Sequence, residues 1–175
     1  LTVISTGGDG DGFGIGGNHF LHTMRRNIDI TYLTMDNQIY GLTTGQVSPT
    51  SVKGMKTKTT PHGNVENPIN PIPLAMVAGA TYVARGYSAN PKHLVEMIKG
   101  AITHKGFSFL DVFSPCVTYN KDNTYKWFRP RVKPLEDEGH DPTNFHKSMD
   151  KAYLWGEEIP IGLFWHRTDL PTLEE

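Results

Sequence analysis

The sequence predicts an α/β fold, a largely parallel sheet flanked by helices. Three observations carry that expectation. The first 35 residues run strand, glycine loop, helix, strand. A second helix and strand follow each other at 91–113. The regular segments alternate between helical and strand patterns instead of clustering by type, which is what βαβ units leave in a sequence.

The elements follow in order. Residues 2–6 (Thr-Val-Ile-Ser-Thr) are β-prone and apolar enough for a buried strand. Gly7 to Gly17 is dense in glycine, and is expected to be neither strand nor helix interior. Asn18 to Asn27 reads as a helix with Phe20, Leu21 and Met24 on one face. Arg25 and Arg26 fall in its last turn, where cations complement the dipole. Ile28 to Met35 is the next strand, joined to the first by a crossover expected to be right-handed. Residues 43–73 are rich in Thr, Pro, Gly and Asn without a period; a connection that long is expected to be functional or disordered. Pro73 to Ala80 is expected to be a short helix and Thr81 to Gly86 a strand.

Pro91 to His104 is a clear helix. Proline opens it, Leu94, Val95, Ile98 and Ile102 form its stripe, and Gly106 lies just beyond. Phe107 to Phe113 is a strand running into Ser114-Pro115-Cys116. Asn120 to Asn144 is polar enough to be a surface excursion. Phe145 to Trp155 reads as a helix and Ile159 to Trp165 as a short strand or extended tail. The expected organisation is one domain over 1–119 and a C-terminal extension over 120–175, packing on that domain or on a partner. Met149, Trp155, Phe164 and Trp165 are expected to supply the packing.

The chain has 175 residues and a net charge of -1. That balance gives no sign-biased field for nucleic acid, and no apolar run approaches the roughly 20 residues a membrane helix needs. The start has no basic region of a signal peptide. It opens inside a strand without Met, so the chain is expected to be incomplete or processed at its N-terminus. A single cysteine, Cys116, excludes a disulfide framework within the chain and fits a reducing, cytoplasmic setting.

The informative feature is Gly8-Asp9-Gly10-Asp11 after the first strand, with Asp36-Asn37-Gln38-Ile39-Tyr40-Gly41 after the second. Ligands of open parallel sheets bind beyond the carboxyl ends of the strands, where both segments fall. Glycines let backbone N–H groups approach a phosphate. A carboxylate beside a diphosphate repels it unless a cation lies between them. Mg²⁺ suits that role, because it binds one or two carboxylates together with phosphate oxygens. Asp9 would supply charge, the Asn37 amide a neutral oxygen, and a backbone carbonyl just after it another. A dinucleotide fingerprint fits the glycines poorly, and a calcium loop fails because its twelfth position is Phe20. A glycine-rich turn with no ligand remains an alternative on this loop alone.

Thiamine-diphosphate enzymes share such a G-D-G opening and a later D-N or N-N pair. The longer string GDGDGFGIGGNHFLHTMRRN…MDNQIYGLTTGQVSPTS resembles the β subunit of 2-oxoacid:ferredoxin oxidoreductases. So do SPCVTYN at 114–120 and AYLWGEEIPIGLF at 152–164, in the same order. The resemblance implies a thiamine-diphosphate-binding fold. It implies Mg²⁺ bound through Asp9, Asn37 and the carbonyl of Ile39. It places Gly8, Gly10, Asp11, Gly41, Leu42 and Thr43 around the diphosphate, and makes His19 a candidate catalytic residue near the cofactor. It makes Cys116 one ligand of a [4Fe-4S] cluster whose other thiolates lie outside this chain, since one cannot hold the cluster.

The activity so implied is oxidative decarboxylation of a 2-oxoacid to an acyl-CoA, with electrons passed through the cluster to ferredoxin. The partners so implied are an α subunit, with γ and δ subunits in some assemblies, and CoA as acyl acceptor. The cofactor's usual glutamate partner is absent between Leu1 and Val65, so it is expected from another chain. Thr44 stands where many relatives carry lysine, so substrate preference does not transfer. Two other readings stay open: a non-redox thiamine-diphosphate decarboxylase or ligase, and a non-catalytic phosphate-binding module.

Overall fold

The computed structural model describes residues 1–175. Six strands form one sheet: β1 (Ile4–Gly8), β2 (Thr31–Asp36), β3 (Tyr82–Tyr87), β4 (Ser108–Phe113), β5 (Val132–Pro134) and β6 (Ile159–His166). Their order is β1-β2-β4-β3-β6-β5. The first four in that order are parallel, and β6 runs antiparallel to β3. Asp36 is level with Phe113, and Phe113 with Tyr87, so the carboxyl ends of β2, β4 and β3 finish side by side.

Side-chain alternation assigns the two faces. Val83 and Phe109 point to one side, against Phe20 and Met24 of α1 (Gly17–Arg25) and Ile72 and Met76 of α2 (Pro71–Ala78). Ala84, Leu110 and Val112 point to the other, against Leu94, Ile98 and Ala101 of α3 (Pro91–Thr103). This is the period-two pattern of a sheet buried on both faces. The Phe20 ring meets Phe109 edge-on, with 4.9 Å between centroids.

The structure departs from the sequence reading in four places. Gly7 and Gly8 belong to β1, and Asp11–Ile15 form a π-helical turn. Close packing fixes these glycines: a Cβ on Gly10 would lie 2.2 Å from the Tyr40 ring, and one on Gly12 2.2 Å from the Tyr32 hydroxyl. Helix α2 starts at Pro71, two residues before the expected Pro73, because proline suits a first helical turn. It ends because Gly79 takes the left-handed conformation (φ 99°) that closes a helix.

Helix α5 (Phe145–Ala152) stops short of Trp155. The supposed surface excursion carries α4 (Tyr125–Phe128), β5 and a 3-10 turn at Leu135–Glu138, with Phe128 and Leu135 buried. Polar composition there hid a few widely spaced anchors. Residues 120–175 thus supply two strands of the sheet that 1–119 begins. No helix is long and apolar enough to cross a membrane.

Candidate functional site

Two of the predicted segments meet beyond the carboxyl ends of β1 and β2. Asp9 leaves β1 and is 1% exposed. Its Oδ1 accepts the Asn37 backbone N–H at 3.3 Å. Its Oδ2 accepts hydrogen bonds from the hydroxyls of Ser48 and Thr50. Burial pushes the Asp9 carboxyl above the usual carboxylate range, against the lowering effect of those hydrogen bonds. The Asn37 side-chain oxygen accepts the Ile39 N–H at 2.9 Å, a turn that curls the segment back on itself. The buried Ile39 offers a backbone carbonyl that accepts no hydrogen bond within the chain.

A second carboxylate lies one step deeper. Asp36, 3% exposed, receives the Gln38 N–H at 3.1 Å, and its Oδ1 lies 2.9 Å from the Thr50 hydroxyl. Burial, then the proximity of Asp111 and Asp9, pushes the Asp36 carboxyl well above its ordinary value. One hydroxyl hydrogen cannot serve two carboxylates. The Thr50 hydroxyl lies between the two carboxylates, 2.7 Å from Asp9 Oδ2 and 2.9 Å from Asp36 Oδ1. Beyond Asp36 lies Asp111, paired with the buried Arg85 at 3.1 Å. The guanidinium sits over the rings of Phe113 and Phe164, at 4.9 and 5.3 Å from their centroids. A cavity of about 260 Å³ opens beside Asp36, Thr50, Asn70, Arg85, Asp111 and Trp155.

The third predicted block joins from β4. Asn120 donates to the Asn37 carbonyl at 3.0 Å, and Cys116 Sγ lies near Gly41. The Tyr119 N–H points at Cys116 Sγ at 3.4 Å. Burial works to raise the Cys116 thiol, but the backbone N–H groups of Tyr119, Thr118 and Asn120 outweigh it, with help from Lys121, and hold it below its ordinary value. Cys116 and the Asp-Asn segment therefore share one edge of the sheet.

The remaining predicted residues are less concentrated. The Asp11 carboxylate turns back to accept the Gly8 N–H at 2.6 Å, so that donor serves the loop itself. Tyr40 braces the turn by donating to the Gly10 carbonyl at 2.9 Å. Leu42 and Thr43 are exposed beyond Gly41. His19 is exposed on α1, beside a shallow hollow that Asp11 also lines. Sequence reasoning missed Ser48, Thr50, the buried state of Asp36 and the Arg85–Asp111 pair. The Ser-Pro-Thr-Ser run at 48–51 was a usable signal, because hydroxyls after a carboxylate motif suit a hydrogen-bonding role.

A loop-borne carboxylate, an Asx turn with a free carbonyl, and the glycines around them thus meet beyond the carboxyl ends of parallel strands. The chain belongs to the thiamine pyrophosphate enzymes, through their C-terminal TPP-binding domain, whose family model matches residues 1–112. The model for the C-terminal part of the pyruvate ferredoxin oxidoreductase β subunit matches residues 116–175.

The chain is 44% identical over its whole length to a 2-oxoacid:ferredoxin oxidoreductase subunit beta of Sulfolobus sp. It is 52% identical, over 93% of its length, to a 2-oxoglutarate synthase subunit KorB of Methanocaldococcus jannaschii. It spans 61% and 60% of those relatives' lengths. The 2-oxoglutarate:ferredoxin oxidoreductase from Magnetococcus marinus, solved with 2-oxoglutarate, coenzyme A and succinyl-CoA bound, superposes with a TM-score of 0.94. That match, at 46% identity, covers 99% of this chain and 59% of that one.

Proposed function

We propose that this chain is the cofactor-binding part of the β subunit of a 2-oxoacid:ferredoxin oxidoreductase. In this reading it works with partner subunits to convert a 2-oxoacid and CoA to an acyl-CoA, passing electrons to ferredoxin. The observation that carries the proposal is the meeting of Asp9, Asn37 and the free Ile39 carbonyl at one strand edge.

That donor set fits Mg²⁺ between protein and a diphosphate: one carboxylate oxygen, one amide oxygen and one carbonyl, all hard ligands. Asp9, Asn37 and Ile39 would hold the metal. Gly8, Gly10, Gly41, Leu42 and Thr43 would lie along the diphosphate. A divalent charge beside Asp9 would favour its ionised form.

Bound there, thiamine diphosphate supplies the electron sink for decarboxylation. This chain's residues bind, orient and bury. Tyr40 and Asp11 fix the loop, Ser48 and Thr50 fix Asp9, and Asn120 ties the segment carrying Cys116 to the Asp-Asn turn. Cys116, with its lowered thiol, is suited to be one thiolate of a [4Fe-4S] cluster completed by residues outside this chain. The exposed apolar side chains of Ile15, Leu42 and Val117 flank the same edge, where a partner subunit bringing a glutamate would sit.

The test is to isolate the assembled complex without oxygen, release its small molecules with acid, and oxidise thiamine compounds to fluorescent thiochrome. Stoichiometric fluorescence is expected, together with viologen reduction that needs both a 2-oxoacid and CoA. Folded complex lacking any thiochrome signal would overturn the proposal.

A further inference from the structure

The fold treats the two oxygens of Asp9 differently. Oδ2 accepts from two hydroxyls, Ser48 Oγ and Thr50 Oγ1, the latter at 2.7 Å. Oδ1 has only the Asn37 N–H, at 3.3 Å. Both hydroxyl residues are buried, at 4% and 2% exposure, so water does not compete for Oδ2. An oxygen accepting two hydroxyl hydrogens has its in-plane lone pairs engaged, leaving Oδ1 as the oxygen open to a metal.

The clamp is itself anchored. Ser48 donates its N–H to Ser51 Oγ at 2.7 Å, and Ser51 Oγ donates to the Gln38 carbonyl at 2.6 Å. Thr50 is held from the far side by Asp36 at 2.9 Å. The short segment from Ser48 to Ser51 therefore grips Asp9 on one side and the Asn37–Ile39 turn on the other. These are the two halves of the metal site proposed above.

We infer that Ser48 and Thr50 are positioning residues that hold Asp9 as a one-oxygen ligand, and that this makes the site select Mg²⁺ over Ca²⁺. The inference rests on the proposed cofactor reading. Its physical basis is the different demands of the two ions. Mg²⁺ needs a near-ideal octahedron of short contacts, and each carboxylate oxygen must stay in its own corner. Ca²⁺ accepts more oxygens at longer, more variable distances, and often takes both oxygens of one carboxylate. A carboxylate with Oδ2 tied down cannot swing to present both. Freed of the clamp, it could rotate, which a calcium site tolerates and a magnesium site does not.

Thr50→Val keeps the shape and removes the hydroxyl; Thr50→Ser keeps the hydroxyl. In the assembled enzyme with saturating thiamine diphosphate, Mg²⁺ and Ca²⁺ would each be titrated by calorimetry. Outer partners of metal ligands are typically worth about 10–100-fold in affinity. Thr50→Val is therefore expected to weaken Mg²⁺ binding by about 10–100-fold, to weaken Ca²⁺ binding far less, and so to narrow the preference. Thr50→Ser should restore it. A purely structural defect would weaken both ions together.

Unchanged Mg²⁺ affinity in Thr50→Val, or an equal loss for both ions, overturns the inference. If Thr50→Val does not fold, Ser48→Ala carries the same test with the same expected narrowing. Wild-type complex that binds neither thiamine diphosphate nor Mg²⁺ would remove the proposed function and this inference with it. Wild-type binding with an unmoved ion preference in the variants removes the inference alone.

Discussion

Two buried polar clusters lie at opposite ends of the sheet, and they are finished differently. At the amino ends of the strands, Asn27 accepts the Phe107 N–H at 2.9 Å and the Thr81 hydroxyl at 2.8 Å, and donates to the Pro171 carbonyl at 2.8 Å. Thr81 in turn meets His104 Nε2 at 2.7 Å, and His104 Nδ1 meets His166 Nε2 at 3.2 Å. Every member has a partner. At the carboxyl ends, Asp111 Oδ1, Arg85 Nη1 and Gln38 Oε1 are buried without one, and Asp9 and Asp36 are both pushed toward protonation. A paired buried network holds a fold together, whereas buried polar groups without partners cost stability. The first cluster joins chain segments, and the second holds the residues proposed to take the metal and cofactor.

The sharpest way to break that distinction is at Asp9. Asp9→Asn removes the anionic ligand but keeps the shape. Cofactor binding in the assembled enzyme should fall by at least about 100-fold, read as thiochrome per complex, because Mg²⁺ sites rest on one or two carboxylates. The metal-free protein should melt at the same temperature or higher. The Asp9 pKa is raised on folding, so at neutral pH the buried carboxylate opposes folding, and a neutral amide relieves it. A large drop in melting temperature would mean that Asp9 belongs with the structural cluster.

The opposite pattern is expected at Asn27. Its backbone is left-handed (φ 48°), which asparagine tolerates better than alanine does, and its side-chain oxygen serves two donors. Asn27→Ala should cost about 2–4 kcal/mol in chemical denaturation, from orphaned partners and backbone strain. Cofactor binding per folded molecule should not change. Loss of binding without loss of stability would reverse the roles of the two ends.

Much of this was legible in the sequence, and the boundary is physical. The four parallel strands and their helices follow from period and capping: Pro91 and Gly106 bracket α3 as they should. The meeting of Asp9 with Asn37 follows from both lying just after consecutive strands. What composition could not show is the use made of residues 43–70. Ser48 and Thr50 have no periodic signature; their hydroxyl-rich run is a hint, and tertiary contact with Asp9 and Asp36 shows which groups they hold. Arg85 and Asp111 look like charged residues misplaced in buried strands until the parallel register sets them opposite each other. The glycine stretch misled in another way. Its glycines suggest neither strand nor helix, whereas several are there because Tyr32 and Tyr40 pack where a Cβ would be.

The smallest expected effect sharpens the comparison from the structural side. Thr81 donates to Asn27, so it accepts from His104 Nε2–H, and His104 Nδ1 is left to accept from His166. Protonating His104 would set two N–H groups against each other. Burial first, and then His166, hold His104 down to about 4, from an ordinary value of 6.5. A histidine depressed on folding contributes stability that is fully present above its unfolded value and is lost as the pH falls through the folded one. The melting temperature should therefore decline between about pH 6.5 and pH 4. His104→Gln, which has no such titration, should flatten that decline while leaving neutral-pH cofactor binding untouched. An acid-side slope that is the same in wild type and variant would assign it instead to other groups, and would leave the closed cluster without a part in the pH response.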